Sequence, residues 1–439
     1  MKFSNLPLSL TDMSAPVIGI ASRTQTPKGL RLHIGLFGRR NAGKSSLINA
    51  LTNQKIAIVS DVPGTTTDPV EKACELAPIG PVVFIDTAGV DDVGELGGLR
   101  TERSLAVLGW VDVALIVCDA KALTESELEL IRTVKSTATP TIVVLNKADT
   151  ADAKELIATQ EQVRSLGYEP VTVCASQKLN IDAVREAIVK LAQNAVEPDL
   201  PLLGDLVHPG DTVMLVTPID TGAPKGRMIL PQVQAIREVL DADAKCIVVR
   251  ENRLAETLTN EKEPPAFVVT DSQVVQSVVA QTPKTIPVTT FSIQMAYSKC
   301  DLVEMARGAA MIDFLHPGDK VMICETCSHH PQPDDIGRKK LPRWLAKKVG
   351  GELDIADVVG KDFPVDLTPY KLILQCGGCV VTRRHMLTRL AQAKRQNIPM
   401  TNYGVAISHL QGVLERALEL HPKALKAFHE AREIFANHF

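Results

Sequence analysis

Gly38-Arg39-Arg40-Asn41-Ala42-Gly43-Lys44-Ser45-Ser46 lies between an apolar run and a helical pattern. That is the setting of a phosphate-binding loop: backbone N–H groups and a helix N-terminus converge on one spot and favour anionic oxygens there. In such a loop Lys44 reaches the β- and γ-phosphates of a nucleotide, and the Ser45 hydroxyl binds the magnesium ion that bridges them. Gly38, Asn41, Ala42, Gly43 and Ser46 complete the cradle.

Three further groups follow in order. The loop 60–68, which contains Ser60, Thr65 and Thr66, can close over the nucleotide and offer Thr66 as a second magnesium ligand. Asp86-Thr87-Ala88-Gly89 ends a strand-like run; Asp86 can hold magnesium through its water shell, and the Gly89 amide can sense the γ-phosphate. Asn146-Lys147-Ala148-Asp149 ends another such run. Asp149 can accept hydrogen bonds from N1 and the exocyclic amine of guanine, a donor pair that adenine lacks. Taken singly, the last motif could be a helix cap after a strand. In sequence with the other motifs it marks a GTP site.

Soft ligands gather elsewhere. Of nine cysteines, Cys74, Cys118, Cys174, Cys246 and Cys300 are scattered, whereas Cys324, Cys327, Cys376 and Cys379 form two pairs. Three or four thiolates suit zinc or an iron–sulfur cluster, and softness does not separate the two. Cys376-Gly377-Gly378-Cys379 could also act as a redox dithiol, and a structural zinc site is the plainest reading.

The elements that must position these residues are legible as apolar runs. Leu32–Phe37, 82–85, 113–118 and 141–145 read as buried strands, separated by helical patterns such as 125–135 and 153–166. The alternation predicts an α/β fold: a P-loop domain with a doubly wound, mostly parallel sheet, its ligands at the carboxyl ends of the strands. Beyond a linker at 196–201 the chain repeats. His208-Pro209-Gly210-Asp211 recurs as His316-Pro317-Gly318-Asp319, Gly226-Arg227 as Gly337-Arg338, and Ile286-Pro287 as Ile398-Pro399, at offsets of 108, 111 and 112 residues. Two related smaller α/β domains should therefore follow the first. In the second copy, strands at 320–323 and 372–374 run out into the cysteine pairs. In the first copy the equivalent places hold no soft ligand, and Ile229, Val233, Ile236, Val239 and Leu240 should form one apolar helix face.

At 439 residues the chain exceeds a single core. A net charge of −3 gives no general attraction to nucleic acid, and no apolar run reaches the ~18 residues of a membrane span. Residues 1–30 lack a secretory pattern and are expected to be a flexible tail, with the protein in the cytoplasm. The domains expected are 31–197 for GTP, 205–300 for the first copy of the repeat and 301–439 for the cysteine centre.

The amino-terminal motifs resemble the branch of translation-factor-class GTPases that contains the tRNA-modification and ribosome-assembly enzymes. The resemblance implies a potassium ion held by Asn41, Thr65 and the backbone carbonyls of Ser60 and Val62, in the place of an arginine finger, and slow, potassium-stimulated hydrolysis. Lys44, Thr66 and Glu102 are then the catalytic candidates. Val90 stands where a water-orienting Gln would follow Gly89, and Glu102 has two readings, a carboxylate that orients that water and a solvated helix residue. The fifth motif, with Ala175, is degenerate as Cys174-Ala175-Ser176.

With Cys327-Ser328-His329, then 45 residues, then Gln375-Cys376-Gly377-Gly378-Cys379, the whole resembles the HydF family of iron-only hydrogenase maturation GTPases. The resemblance implies a homodimeric scaffold, with 205–300 as its dimerisation domain, whose Cys327, Cys376 and Cys379 hold a four-iron four-sulfur cluster with an exchangeable fourth position, His329 or solvent being favoured there over Cys324. His330 is given no role, and Gln375 stands where a His is common. Partners implied are apo-hydrogenase and the radical-SAM maturation enzymes, with a di-iron precursor as cargo. Two alternatives are a potassium-dependent, RNA-directed GTPase with structural zinc, reading RNA through residues 337–343, and a redox-sensing GTPase.

Overall fold

The structure is a computed structural model that describes residues 26–52, 69–89, 105–137, 139–195, 200–219, 228–326 and 335–437. Ser60, Val62, Thr65, Thr66, Val90, Glu102, Cys327, His329, His330 and most of the amino-terminal tail lie outside the described residues.

The first sheet holds β1 (Leu32–Phe37), β2 (Val70–Leu76), β3 (Gly80–Asp86), β4 (Val113–Asp119), β5 (Thr141–Asn146) and β6 (Val171–Thr172), in the order β2-β3-β1-β4-β5-β6. All neighbours are parallel except β2, which runs antiparallel to β3 on one edge. The central strands are buried on both faces, as their unbroken apolar runs require. Alternate residues serve opposite layers. Ile34, Leu36, Leu115 and Val117 meet helices Lys44–Thr52 and Ile181–Ala195 through Leu47, Ile48, Val184 and Ile188. Ile85, Ala114, Ile116 and Val143 meet helices Glu125–Ser136 and Ala153–Ser165 through Leu130, Val134 and Val163.

Two four-stranded parallel sheets follow. One contains β7 (Thr212–Val216), β8 (Lys245–Val249), β9 (Phe267–Thr270) and β10 (Val288–Thr290), ordered β10-β9-β7-β8. The other contains β11 (Lys320–Glu325), β12 (Asp354–Val359), β13 (Leu372–Gln375) and β14 (Met400–Asn402), ordered β12-β11-β13-β14. These are one topology twice. The repeated His-Pro-Gly-Asp turn is also one geometry twice: Asp211 accepts from the His208 N–H at 2.8 Å and Asp319 from the His316 N–H at 2.7 Å. Gly210 and Gly318 take φ of 86° and 87°, a left-handed conformation that glycine adopts without a Cβ penalty.

One expectation changes. β11 runs through Cys324 and Glu325 rather than stopping at Ile323, because the residues pair on to Val358 and Val359 of β12. On the helix Leu230–Asp241, Val233, Ile236, Val239 and Leu240 share one side, as expected: Val239 at its inner edge enters the core with Ala235, while Val233 and Leu240 stay exposed.

The third sheet's unit packs against the first domain. The Lys361 ammonium lies over the Trp110 ring and pairs with Glu71, which also pairs with Lys28. Trp110 is stacked on His385, and Arg384 donates to the Thr139 hydroxyl at 3.0 Å. Among the described residues no helix is long and apolar enough to cross a membrane.

Candidate functional site

The nucleotide motifs converge at the carboxyl edge of the first sheet. Lys44, buried at the start of its helix, donates to the Gly38 and Arg39 carbonyls at 2.8 and 3.0 Å and so spans the loop from inside. Ser45 donates to Asp86 at 3.1 Å, bringing together the two expected magnesium residues. Burial raises the Asp86 carboxyl above its usual range, against the pull of Lys44 and Ser45. Its Oδ1 is buried with no hydrogen-bond partner among the described residues. An orphaned carboxylate oxygen beside a hydroxyl fits a hydrated magnesium ion. Asn41 is exposed with φ of 61°, Ser46 is exposed on the first helical turn, and Gly89 follows β3 through Thr87, whose hydroxyl donates to Leu36 O at 2.6 Å.

Asn146 ties three motifs. Its amide donates to Ala42 O at 2.9 Å, and its oxygen accepts from the Ala175 N–H at 3.0 Å. The phosphate loop and the loop after β6 are thus held by one side chain at the end of β5. Lys147, at φ of 61°, projects to Asp119 at 3.3 Å. Asp149 accepts from Cys174 Sγ and from Gln177 Nε2, each at 3.1 Å. Sequence reasoning missed Gln177; with Cys174 it occupies the carboxylate oxygens that guanine would take, and their contacts show that both oxygens are accessible to donors.

At the carboxyl edge of the third sheet, β11 and β13 are neighbours in register, with Cys324 beside Gln375. Cys376 follows β13 directly; its sulfur accepts from the Thr326 backbone N–H at 3.2 Å and lies 3.1 Å from the Thr326 hydroxyl. Backbone and hydroxyl donors aimed at a sulfur suit a thiolate ligand. Gly378 turns the chain at φ of 68°, and a Cβ there would lie 2.8 Å from Met386 Sδ, so the turn presenting Cys379 requires glycine. Burial pushes the Cys379 thiol up to about 11, and the charge of Cys376 adds to that. Metal binding would have to displace that proton.

Cys324 is different. Period-2 alternation sends its side chain into the core with Met322, Ala296 and Met386, and burial pushes the thiol up to about 12. It faces the core, not the edge. Among the described residues no three His, Cys, Asp or Glu side chains are grouped to hold a metal; Cys327 and His329 lie outside that set. The basic stretch at 337–343 is partly committed within the chain: Arg338 pairs with Glu325, and Lys340 donates to Gln273 at 2.6 Å.

Lys299 joins the segment before β1 to the chain just after the cysteine pair. Its fully buried ammonium donates to Gly29 O, three residues before β1, and to Val381 O, two residues after Cys379.

Comparison with known proteins finds three family matches along the chain. Residues 33–147 match the 50S ribosome-binding GTPase family, 202–300 the hydrogen maturase F dimerization domain, and 303–420 the hydrogen maturase F tetramerization domain. The tRNA modification GTPase MnmE of Trichormus variabilis is 38% identical over 167 residues, 37% of this chain and 34% of that protein. GTPase Der of Wolinella succinogenes is 35% identical over 172 residues, 37% of this chain and 36% of that protein. The chain thus spans about a third of the length of these curated relatives. Among solved structures, Aquifex aeolicus Era bound to GDP and aluminium fluoride aligns at 21% identity over 52% of this chain and 97% of that one, with a TM-score of 0.33.

Proposed function

Since this chain belongs to the hydrogen maturase F family of hydrogenase maturation GTPases, we propose that it is a GTP-hydrolysing scaffold that binds a four-iron cluster and passes a di-iron precursor to an apo-hydrogenase. The observation that carries the reading is Lys299, which ties the segment leading into β1, at Gly29, to the chain leaving Cys379, at Val381.

In this reading Lys44 holds the β- and γ-phosphates, Ser45 and Thr66 ligate magnesium, Asp86 holds its water shell, and the Gly89 amide reads the γ-phosphate. Asn146 fixes the loop on which Lys44 is mounted, and Asp149 selects guanine. Asn41, Ser60 and Thr65 would hold potassium, and Glu102 would orient water. The cations supply charge neutralisation on the transferring phosphoryl group. Cys327, Cys376 and Cys379 would hold the cluster, with His329 or solvent at the fourth iron. When bound, the cluster supplies an exchangeable coordination position for the cargo. The nucleotide state would bias the seating of the first domain on the third sheet's unit and so gate exchange with the hydrogenase and the radical-SAM maturation enzymes, within a homodimer in the cytoplasm.

The test is iron and acid-labile sulfide per chain after anaerobic reconstitution, alongside GTP hydrolysis in potassium and in sodium. About four irons per chain, lost in Cys376→Ser, with faster turnover in potassium, is the expected result. Zinc without sulfide would return the chain to a GTPase with a structural metal site. Partner affinities unchanged between GDP and a GTP analogue would end the gating reading.

A further inference from the structure

Gln375 ends β13 with its side chain fully buried, and neither the GTP site nor the cysteine ligands account for it. Its partners fix which way the amide points. Arg389, also buried, donates through Nη1 to Gln375 Oε1 at 2.9 Å. Arg389 is itself immobilised: Nη2 donates to Gly360 O and Asp362 O at 3.0 and 3.1 Å, and the guanidinium lies 4.9 Å from the Phe363 ring centre. A guanidinium carries donors and no acceptor, so the atom facing it must be the carbonyl oxygen, and the amide nitrogen is turned away. On that side Nε2 meets acceptors alone: Cys324 O at 3.5 Å, Cys376 O at 3.4 Å and Cys376 Sγ at 3.4 Å. Thr326 brings its N–H and hydroxyl to the same sulfur.

We propose that Gln375, aimed by Arg389, is a positioning residue that donates a hydrogen bond to the Cys376 sulfur and, together with Thr326, sets the reduction potential of the iron–sulfur group bound there. The inference rests on the cluster reading given above. Reduction adds negative charge that spreads onto the cysteine sulfurs. Donors at those sulfurs favour the reduced state and raise the potential.

The experiment compares the reconstituted full-length protein with Gln375→Met, Gln375→Glu and Thr326→Val by iron content and by redox titration followed by EPR. At equal iron content, Gln375→Met should shift the midpoint to a more negative potential. Gln375→Glu should shift it further, since Arg389 would hold the carboxylate and leave an acceptor facing the sulfur. Thr326→Val should shift it in the same direction. Midpoints equal to that of the wild type at equal iron content overturn the inference and leave the cluster reading standing. A wild type that takes up zinc and no iron overturns both. If the Gln375 variants lose iron, the near-isosteric Thr326→Val decides by the same sign: a negative shift supports the donor set, and an unmoved midpoint overturns it.

Discussion

The Lys361 ammonium lies 3.3 Å from the ring centroid of Trp110, one residue on the third sheet's unit and the other on the GTP domain. Both are largely withdrawn from water, Trp110 at 8% exposure, and Glu71 closes the contact from the side. A desolvated cation–π pair contributes about 2 kcal/mol, and Trp110 adds its own apolar burial. Trp110→Ala should therefore loosen the seating of the first domain more than Lys361→Met does. Small-angle scattering should show a larger radius of gyration in Trp110→Ala, with guanine nucleotide affinity retained. An unchanged radius would mean that Lys299 and Arg384 hold the domains without this pair.

The same contact makes stability depend on pH. Burial, reinforced by the Lys361 ammonium, pushes His33 down to about 4, and burial holds His385 well below its ordinary value. Between those values and about 6.5 the unfolded chain binds protons that the folded chain refuses. The contribution is complete above about pH 6.5 and is lost as pH falls toward 4, on the order of 3 kcal/mol for His33 across the window. Urea midpoints should be lower at about pH 5 than at about pH 7.5. Replacing both histidines with Gln should flatten that difference; a slope surviving the double replacement would assign it to other groups.

Much of the first domain is legible from apolar runs that end in Gly, Asp or Asn, because strands buried on both faces must be continuously apolar. β2 is not legible: Val-Glu-Lys-Ala-Cys-Glu-Leu is half-exposed on an edge and carries too little apolar residue to stand out. The turn motifs at Gly210 and Gly318 are readable as a repeat because the backbone itself demands those residues. By contrast, nothing local distinguishes Trp110, Lys361 or Lys299. Their roles exist only once two distant units meet. Cys324 shows the finer limit: two more residues of strand pairing decide whether a thiol faces a sheet edge or a core.

In the phosphate loop, Gly43 has φ of 95°, and a Cβ there would lie 2.2 Å from the Asn146 amide nitrogen. Gly43→Ala must displace the side chain that holds Ala42 and Ala175 together, besides straining the backbone by about 1–2 kcal/mol. Binding of a fluorescent GDP analogue should weaken by at least about tenfold, with a melting temperature shifted by only a few degrees. Asn146→Ala should weaken binding similarly without the strain. Wild-type affinity in Gly43→Ala would show that the bridge has no part in holding the loop.

The cysteines separate by burial, and that separation can be measured. Cys324 is fully buried among apolar side chains, so Cys324→Ala should cost about 1 kcal/mol of stability and leave reconstituted iron unchanged. Cys324→Ser would instead bury a hydroxyl and cost about 1–3 kcal/mol, again without loss of iron per folded chain. Cys379 lies after the Gly378 turn, partly buried, with its side chain packed at the margin of the second unit's core. Cys379→Ser should therefore lower the urea midpoint somewhat and, unlike Cys324→Ala, lose the iron per folded chain. If Cys324→Ala lost iron as well, the strand would have to open at β11 for the cluster to bind, and the buried thiol would be a ligand that the folded sheet conceals.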